Sequence, residues 1–239
     1  MVRSETDRAD RPERAHTTRE AILDAAERLF AEYGVASVSN RQVSEAAGQG
    51  NNAAVGYHFG TKADLVRAIV RRHIGAIEDI RTRLVAEVGE STELRDWVVC
   101  LVRPHGEHLA SLPQPTWFAR FGAQVMTDPA LRPIMAEESL GAPSLRQVID
   151  GLNRCLPHLP PHVRAERDGM ARQLMTNMWA ERERALADGE VTDRASWHDA
   201  TVGLVDALVG LLQAPVTPTG DTAATGRGGG HTTGRTKNR

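Results

Sequence analysis

The chain has 239 residues, of which 41% are apolar and 25% are charged, a balance typical of a soluble globular protein. The net charge is −2, and residues 1–75 hold 11 basic against 10 acidic side chains, which excludes bulk positive charge as a source of affinity for nucleic acid. No segment approaches the ~18 consecutive apolar residues of a membrane span, and the charged N-terminal segment predicts no secretory signal. Cys100 and Cys155 lack the spacing of a zinc or redox motif, so we expect a cytoplasmic protein without a metal or cofactor.

Both ends of the chain differ in composition from its middle. Residues 1–16 are charged, contain Pro12 and show no apolar periodicity, so we expect a disordered arm. Residues 216–239 hold 6 Gly and 7 Thr and too little apolar surface to fold, so we expect a flexible tail. Between these ends the apolar spacing is helical throughout, and the sequence predicts an all-α fold.

The first predicted helix follows Thr17-Thr18-Arg19-Glu20, which fits a capping box. Gly34 provides the left-handed residue that commonly ends a helix. One face of this helix is apolar over its whole length, with Ile22, Ala26, Leu29, Phe30 and Tyr33.

Residues 40–62 predict two short helices joined by a Gly-Gln-Gly turn. The first helix runs from about Asn40 to Ala47, and the second, capped by Asn51 or Asn52, ends near Phe59. A short helix held across another by a glycine turn is the architecture that places one helix in a DNA groove.

A long fourth helix starts at Thr61-Lys62-Ala63-Asp64, a second capping box. Its apolar seam has helical spacing and consists of Leu65, Ile69, Ile77, Ile80, Leu84 and Val88. Beyond it, prolines and Asp188-Gly189 divide the chain into roughly five more helices. Residues 98–102 would suit a strand in isolation, but their flanks continue a helical spacing, so we expect a helix there.

The last two predicted helices, residues 162–187 and 194–213, have broad apolar faces. Gly203 and Gly210 are small enough to let another helix approach closely. Such a pair can complete the core or form a four-helix bundle between two subunits. Symmetric DNA half-sites require a two-fold protein, so the DNA-binding interpretation favours the dimer.

Residues 17–65 resemble the DNA-binding domain of the TetR (tetracycline-repressor-like) family of bacterial transcriptional regulators. The resemblance lies in four segments: Thr-Arg-Glu-Ala-Ile-Leu-Asp-Ala-Ala at 18–26, Leu-Phe-Ala-Glu-Tyr-Gly at 29–34, Gln-Val-Ser-Glu-Ala-Ala-Gly at 42–48 and Tyr-His-Phe-Gly-Thr-Lys-Ala-Asp-Leu at 57–65. It implies a homodimer that is not an enzyme, and a repressor that a small-molecule effector releases from a palindromic operator in double-stranded DNA. It also implies a helix-turn-helix domain over 17–62 and a helical effector-binding and dimerisation domain over 63–215.

The resemblance and the side-chain chemistry together suggest which residues contact DNA. Polar groups that can approach base edges or the groove lie on the second helix and in the turn, at Arg41, Gln42, Gln49, Asn51 and Asn52. Ala53 can touch a thymine methyl group. By the resemblance, phosphate contacts come from Tyr57, His58 and Lys62. The turn is one residue longer than the commonest family pattern, which shifts the register of the recognition helix.

An effector site is expected in the C-terminal domain, where aromatic and methionine side chains recur. The candidate lining residues are Trp97, Phe118, Phe121, Met126, Met135, Met175 and Trp179. Their number favours an apolar or aromatic effector over a highly charged one. Ordinary core packing is the alternative for each of them.

Other interpretations start from the histidines and from a glycine motif. His105 and His108 have the spacing of a metal pair on a helix, which would suit a metal-responsive regulator, although no third ligand is evident. His73 lies on the seam of the fourth helix, where a hydrogen-bonded core histidine is favoured over a pH switch. Gly48-x-Gly50-x-x-Ala53 matches a dinucleotide fingerprint in letters, but the strand that should precede it is missing. A helical interaction protein without a DNA role is the remaining alternative.

Overall fold

The structure, a computed structural model, describes residues 5–51 and 53–217, with side chains described from residue 15 onward. Within these ranges the chain forms helices and connecting loops, which confirms the predicted all-α fold. The helices of the described residues are α1 (Glu5–Tyr33), α2 (Asn40–Ala46), α3 (Ala54–Phe59), α4 (Lys62–Val88), α5 (Leu94–Ser111), α6 (Phe118–Thr127), α7 (Arg132–Gly141), α8 (Pro143–Cys155), α9 (Pro161–Ala187) and α10 (Trp197–Gln213). None of these helices is long and apolar enough to cross a membrane.

The first helix begins earlier than the sequence predicts. α1 extends back to Glu5, so residues 5–16 are helical where a disordered arm was expected, and Thr17 lies inside the helix instead of capping it. Glu, Arg and Ala make up most of this segment and have high helix propensity. Adding turns to a helix that packing already fixes requires no new nucleation. Residues 1–4 and 218–239, parts of the predicted arm and tail, lie outside the described residues.

The packed part of α1 follows its predicted apolar face, with one exception. Ile22, Ala26 and Phe30 are buried, whereas Tyr33 at the helix end is exposed. Gly34 follows with φ 82°, so it supplies the left-handed conformation that ends the helix. The Phe30 ring stacks on Phe121 of α6 at a centroid distance of 6.4 Å, which attaches α1 to the C-terminal helices.

A capping box that the sequence analysis missed starts α2. The Ser39 hydroxyl accepts a hydrogen bond from the Gln42 backbone N–H, and the Gln42 side chain accepts one from the Ser39 backbone N–H at 2.8 Å. Val43 is fully buried beneath the helix, and Gly48 follows with φ 68°. Two reciprocal bonds therefore fix the start of α2, and the buried side chains of Val43 and Ser44 fix its position.

The third helix is shorter than predicted and lacks a side-chain cap. α3 begins at Ala54, with Ala53 in the cap position, instead of at Asn52. The Asn51 side chain bonds to the cap residue before the helix, since its Oδ1 accepts a hydrogen bond from the Ala53 N–H at 2.9 Å. The turn after Gly48 therefore ends in an Asx-type bond.

The fourth helix starts where the sequence predicts. Thr61 and Asp64 form a capping box, in which the Thr61 N–H donates to Asp64 Oδ2 at 3.1 Å. Leu65, Ile69 and Ile77 of the predicted seam are fully buried. Because α4 contacts α1 and α3 as well as α5, α7 and α8, it is the element that connects the two parts of the chain.

Six helices follow α4 in the described residues, where about five were predicted. α5 packs between α4 and α10, and glycines make its crossings close. A Cβ at Gly106 of α5 would lie 2.0 Å from Thr201 Oγ1 of α10, and one at Gly151 of α8 would lie 2.1 Å from the Trp97 ring. Gly203 and Gly210 are the glycines expected from the sequence at a close helix crossing, but an added Cβ at Gly210 would meet nothing within 4 Å among the described residues.

Glu183 of α9, which is only 2% exposed, fixes the position of α6. Its carboxylate accepts from the backbone N–H groups of Ala119 at 3.2 Å and Arg120 at 2.9 Å. The Thr116 hydroxyl and the Arg120 guanidinium donate to the same carboxylate. A buried anion from a distant helix therefore satisfies the N–H groups of the first turn of α6, in place of a local cap.

Candidate functional site

The surface of α3 is held in place from behind by Arg19 of α1. The Arg19 guanidinium donates to the His58 backbone carbonyl at 3.0 Å and stacks over the Phe59 ring at 4.2 Å. Tyr57 is 85% exposed, and its ring meets His58 edge-on at 5.0 Å. The helix therefore presents a large, exposed aromatic hydroxyl on a rigid support, and Phe59 packs partly buried against the core. Sequence analysis did not find the role of Arg19.

The polar residues at the start of α2 are exposed but engaged within the chain. Arg41 Nε donates to Glu45 at 2.7 Å, one helical turn away. The carbonyl oxygen of the Gln42 side chain accepts from Ser39, which leaves its NH₂ group as the donor that could meet a base or a phosphate.

The turn residues predicted to approach bases are also used inside the protein. Gln49 Nε2 donates to the Ala47 carbonyl at 3.0 Å, and Asn51 Oδ1 accepts from Ala53. Ala53 itself is exposed, and Asn52 lies outside the described residues. The amides of Gln49 and Asn51 thus shape the turn, and each keeps only part of its hydrogen-bonding capacity for DNA.

Lys62 has an internal role that spacing alone could not indicate. Its Nζ donates to the backbone carbonyls of Val35 at 3.0 Å and Val38 at 2.6 Å. These bonds attach the first residue of α4 to the loop between α1 and α2. An ammonium group has three donors, so one remains for a phosphate, and the positive charge stays beside α3.

The aromatic and methionine residues predicted to line an effector site do not form one group. Trp97 belongs to a small core cluster with Leu84, Val85, Cys100 and Val148. Phe118, Phe121, Met175 and Trp179 are buried in the main core, with Met135 packed against it, and Met126 is half-buried. Each buried ring also has a packing partner, such as Trp197 for Trp179 at 5.9 Å. Their role in effector binding stays a prediction.

A buried hydrogen-bonded chain connects α1, α4 and α5 behind these surfaces. Glu27 Oε2 lies 2.8 Å from His73 Nε2, and His73 Nδ1 lies 2.7 Å from His108 Nε2. Arg72 also pairs with Glu27, and the Phe118 ring stacks on His73 at 3.9 Å. Both ring nitrogens of His73 therefore have partners, which agrees with the prediction of a hydrogen-bonded core histidine.

The protonation of this chain follows from its burial and its neighbours. Burial alone would raise the pKa of Glu27, but the hydrogen bond and charge of His73, together with Arg72, lower that pKa below its usual value. Burial, and then the neighbouring His73, lowers the pKa of His108 to about 4. At neutral pH the chain therefore contains an ionised Glu27 and a neutral His108.

Two family models match the chain. The family described as "Bacterial regulatory proteins, tetR family" matches residues 22–69, which include α2, α3 and the start of α4. The domain described as "Tetracyclin repressor-like, C-terminal domain" matches residues 99–210. Together they cover more than half of the sequence. The chain belongs to the TetR family. It is therefore a transcriptional regulator with a DNA-binding helix-turn-helix, and α2 and α3 are the two helices of that unit.

Solved structures of two bacterial proteins have a similar fold. The fatty acid degradation regulator FadR from Bacillus halodurans aligns with a TM-score of 0.54 at 18% identity, over 82% of this chain and 95% of that one. A putative TetR-family transcriptional regulator from Mesorhizobium loti aligns with a TM-score of 0.50 at 17% identity, over 83% and 96%. Among curated proteins, no significant match is found.

The metal-responsive alternative gains no support from the position of its two histidines. His108 Nε2 is bonded to His73, so this ring nitrogen is engaged inside the protein. Within the described residues, no group of three or more His, Cys, Asp or Glu side chains is arranged to hold a metal ion. Nothing in the geometry favours a metal-sensing member of the TetR family.

Proposed function

We propose that this TetR-family protein is a homodimeric repressor that binds a palindromic operator and leaves it when a small apolar or aromatic molecule binds its C-terminal domain. The observation that supports this most is the α3 surface, where an exposed Tyr57 stands beside His58 on a helix supported by Arg19. Rigid placement matters, because phosphate contacts fix the register in which the base-reading groups meet the groove.

The DNA contacts that we propose have unequal roles. Tyr57, His58 and Lys62 bind phosphates, since they surround the end of α3 and the start of α4. Base reading comes from the start of α3 and from the Gln42 amide, with Ala53 against a thymine methyl group. Few hydrogen-bonding groups are available for base reading, so backbone contacts provide most of the affinity.

The dimer that we propose forms through α9 and α10. Apolar side chains remain exposed on these two helices in the single chain: Met170, Met178, Leu186 and Val202. A face of this kind on adjacent helices suits a four-helix bundle with a second copy, and the two-fold axis then spaces two α3 helices for successive major grooves.

Release requires that the effector bind one state of the dimer more tightly than the DNA-competent state. α4 is the element that can transmit the difference, because it contacts both α3 and the C-terminal helices. The Glu27–His73–His108 chain and the Arg72–Asp24 pair at 2.6 Å fix α4 against α1 and α5. A shift of α5 relative to α4 would therefore alter the seating of the DNA-binding helices.

The proposal is tested by fluorescence anisotropy with palindromes from the DNA that flanks the gene. We expect binding that weakens steeply with salt, and a loss of at least tenfold for Tyr57→Ala on every palindrome bound. Tyr33→Ala, which removes another exposed tyrosine, is the matched control and should bind normally. Absence of binding to any flanking DNA at low salt would overturn the proposal. A monomer by light scattering at micromolar concentration would overturn the dimer.

A further inference from the structure

A buried arginine with incomplete pairing lies in the middle of α4. Arg81 is only 3% exposed, and an ion pair joins its Nη1 to Glu78 Oε2 at 3.4 Å. Its Nε–H is buried and has no hydrogen-bond acceptor among the residues that the structure describes. A buried guanidinium normally gains several short hydrogen bonds to offset the loss of water, so this side chain is poorly compensated as it stands.

Glu78 cannot fully compensate Arg81, because it is committed to another helix. Its carboxylate accepts from the Ser144 backbone N–H at 2.9 Å and from the Ser144 hydroxyl. Ser144 lies in the first turn of α8, so Glu78 serves as the anion at that helix start. The edge of Arg81 that includes Nε remains without a carboxylate.

The register of α4 and α5 indicates what faces Arg81. The two helices run antiparallel, with His73 bonded to His108 at one level and Leu84 clustered with Cys100 at another. Arg81 therefore lies opposite the segment of α5 between Cys100 and His105. His105 lies there too, and its ring meets only a backbone group of its own helix, at Leu101. An open edge of a guanidinium and a neutral imidazole thus occur at the same level of the α4–α5 packing.

The neighbours of Arg81 on α5 are neutral at physiological pH. Burial, followed by the charge of Arg81, lowers the pKa of His105 to about 3. Burial raises the pKa of the Cys100 thiol to about 11. Neither group can supply the negative charge that Arg81 lacks, and the surrounding cluster of Leu84, Trp97 and Val148 is apolar.

We propose that Arg81 and His105 bind the carboxylate of a small acid with an apolar body, between α4, α5 and α8. A guanidinium holds a carboxylate side-on through Nε and one Nη with two parallel bonds, which is the edge that Glu78 leaves open. Neutral His105 can donate a third bond, and the side chains around it, Leu84, Trp97 and Val148, are apolar like the body of such an acid. This inference rests on the proposed effector-responsive function and specifies the chemical class of the effector.

The test compares acids with their neutral amides on the full chain. Thermal unfolding is followed with sodium benzoate against benzamide and sodium hexanoate against hexanamide, at constant ionic strength and protein concentration. We expect at least one acid to raise the Tm by several degrees while its amide does not. Equal shifts for acid and amide, or no shift with either acid, would overturn the proposal.

Two substitutions of Arg81 and one of its neighbour identify the site. Arg81→Met should abolish the shift with the acid and melt no lower than the wild type without it, because it removes a poorly paired buried charge. Arg81→Lys keeps the charge but loses the side-on pair, and should weaken acid binding at least tenfold. Arg83→Met, on the exposed side of α4, is the control and should respond like the wild type.

The outcomes separate this inference from the function on which it rests. An acid-dependent shift that survives in both Arg81 variants would overturn the site. A marked loss of Tm in Arg81→Met without ligand would contradict it too, since Glu78 would then be an adequate partner. Operator binding is measured in parallel on the wild type. If the operator binds but the acids have no effect, only the effector class is wrong; if no operator binds, the proposed function fails.

Discussion

The caps of the DNA-binding helices and the buried carboxylates of the protein interior are polar contacts of different range. Around α2 and α3 the bonds of Ser39, Asn51 and Thr61 join residues two or three positions apart, at the surface. In the interior, Glu183 bonds residues 63 to 67 positions away, and Glu27 bonds residues 45 and 46 positions away. Exposed local bonds contribute little each, whereas a buried carboxylate with charged partners is costly to disturb. Substitutions of the buried carboxylates should therefore lower the free energy of unfolding more than substitutions of the caps.

Removing the charge of Glu183 should produce the largest loss of stability. Glu183→Gln takes away the anion that satisfies the first turn of α6 and pairs with Arg120, and leaves that buried guanidinium without its counter-ion. We expect the free energy of unfolding in urea to fall by about 3 kcal/mol at fixed protein concentration. Glu181→Gln, exposed on the same helix, should have almost no effect. A loss below about 1 kcal/mol for Glu183→Gln would contradict the expectation that a buried carboxylate with charged partners is costly to disturb.

The interior should also lose stability as the pH falls, because His108 is neutral in the folded state. The folded-state pKa of about 4 lies below the unfolded value near 6.5, so unfolding takes up a proton between these values and stability declines as pH falls through that window. From pH 6.5 to 4.5 the contribution is about 2 kcal/mol. Glu27, whose pKa is also lowered, adds a loss of the same sign at lower pH.

His108→Gln is the variant that isolates this effect. The free energy of unfolding, measured in urea at several pH values, should depend less on pH in His108→Gln than in the wild type by about that 2 kcal/mol. His158→Gln, which changes an exposed histidine, should follow the wild-type curve. Parallel curves for His108→Gln and the wild type would show that His108 is not held neutral.

The same difference in range explains what the sequence could predict. Apolar periodicity gave the helices, and the Thr61–Asp64 box gave the start of α4, because both signals are local. The family segments located α2 and α3. The contacts of Glu27 and Glu183 could not be predicted, since no spacing rule relates residues that only the tertiary fold brings together.

Within the DNA-binding region, the errors also have physical causes. Thr17 has the pattern of a cap, but a cap forms only where the helix stops, and α1 continues back to Glu5. Gln42 and Asn51 were assigned to bases for their amides, and the structure uses part of each amide to fix a helix start or a turn. Lys62 is a surface cation by its sequence pattern, and its bonds to two loop carbonyls depend on how α4 meets the α1–α2 loop.

Lys62 combines two hydrogen bonds inside the protein with a proposed contact to phosphate, and its substitution tests both. Lys62→Met removes a phosphate-binding charge, so operator affinity should fall about tenfold and the slope of log K against log salt should decrease by about one unit. The bonds to Val35 and Val38 are lost as well, which lowers the Tm modestly. Lys62→Arg keeps the charge and should retain the salt slope. An unchanged slope in Lys62→Met, with a lower Tm, would assign Lys62 to structure alone.

The smallest effect is expected at the start of α2. Ser39→Ala removes the hydroxyl that caps the Gln42 N–H, and should lower the free energy of unfolding by about 1 kcal/mol. Ser39→Asp retains an acceptor at the same position and should stay close to the wild type. Both are measured by urea unfolding under the conditions used for Glu183→Gln, so that the local and the buried carboxylate contacts are compared directly.

The result for Ser39→Ala shows whether the cap of α2 contributes less to stability than the buried carboxylate of Glu183. If Ser39→Ala costs as much as Glu183→Gln, then α2 depends on its cap for its whole position, and the burial of Val43 and Ser44 is too little to fix it. If the cost is near 1 kcal/mol and operator affinity falls as well, the cap acts mainly on the orientation of α2 relative to α3. We expect the second result. The loss of stability should be small, because Arg19 and Lys62 fix the end of α3 and the start of α4 independently of Ser39.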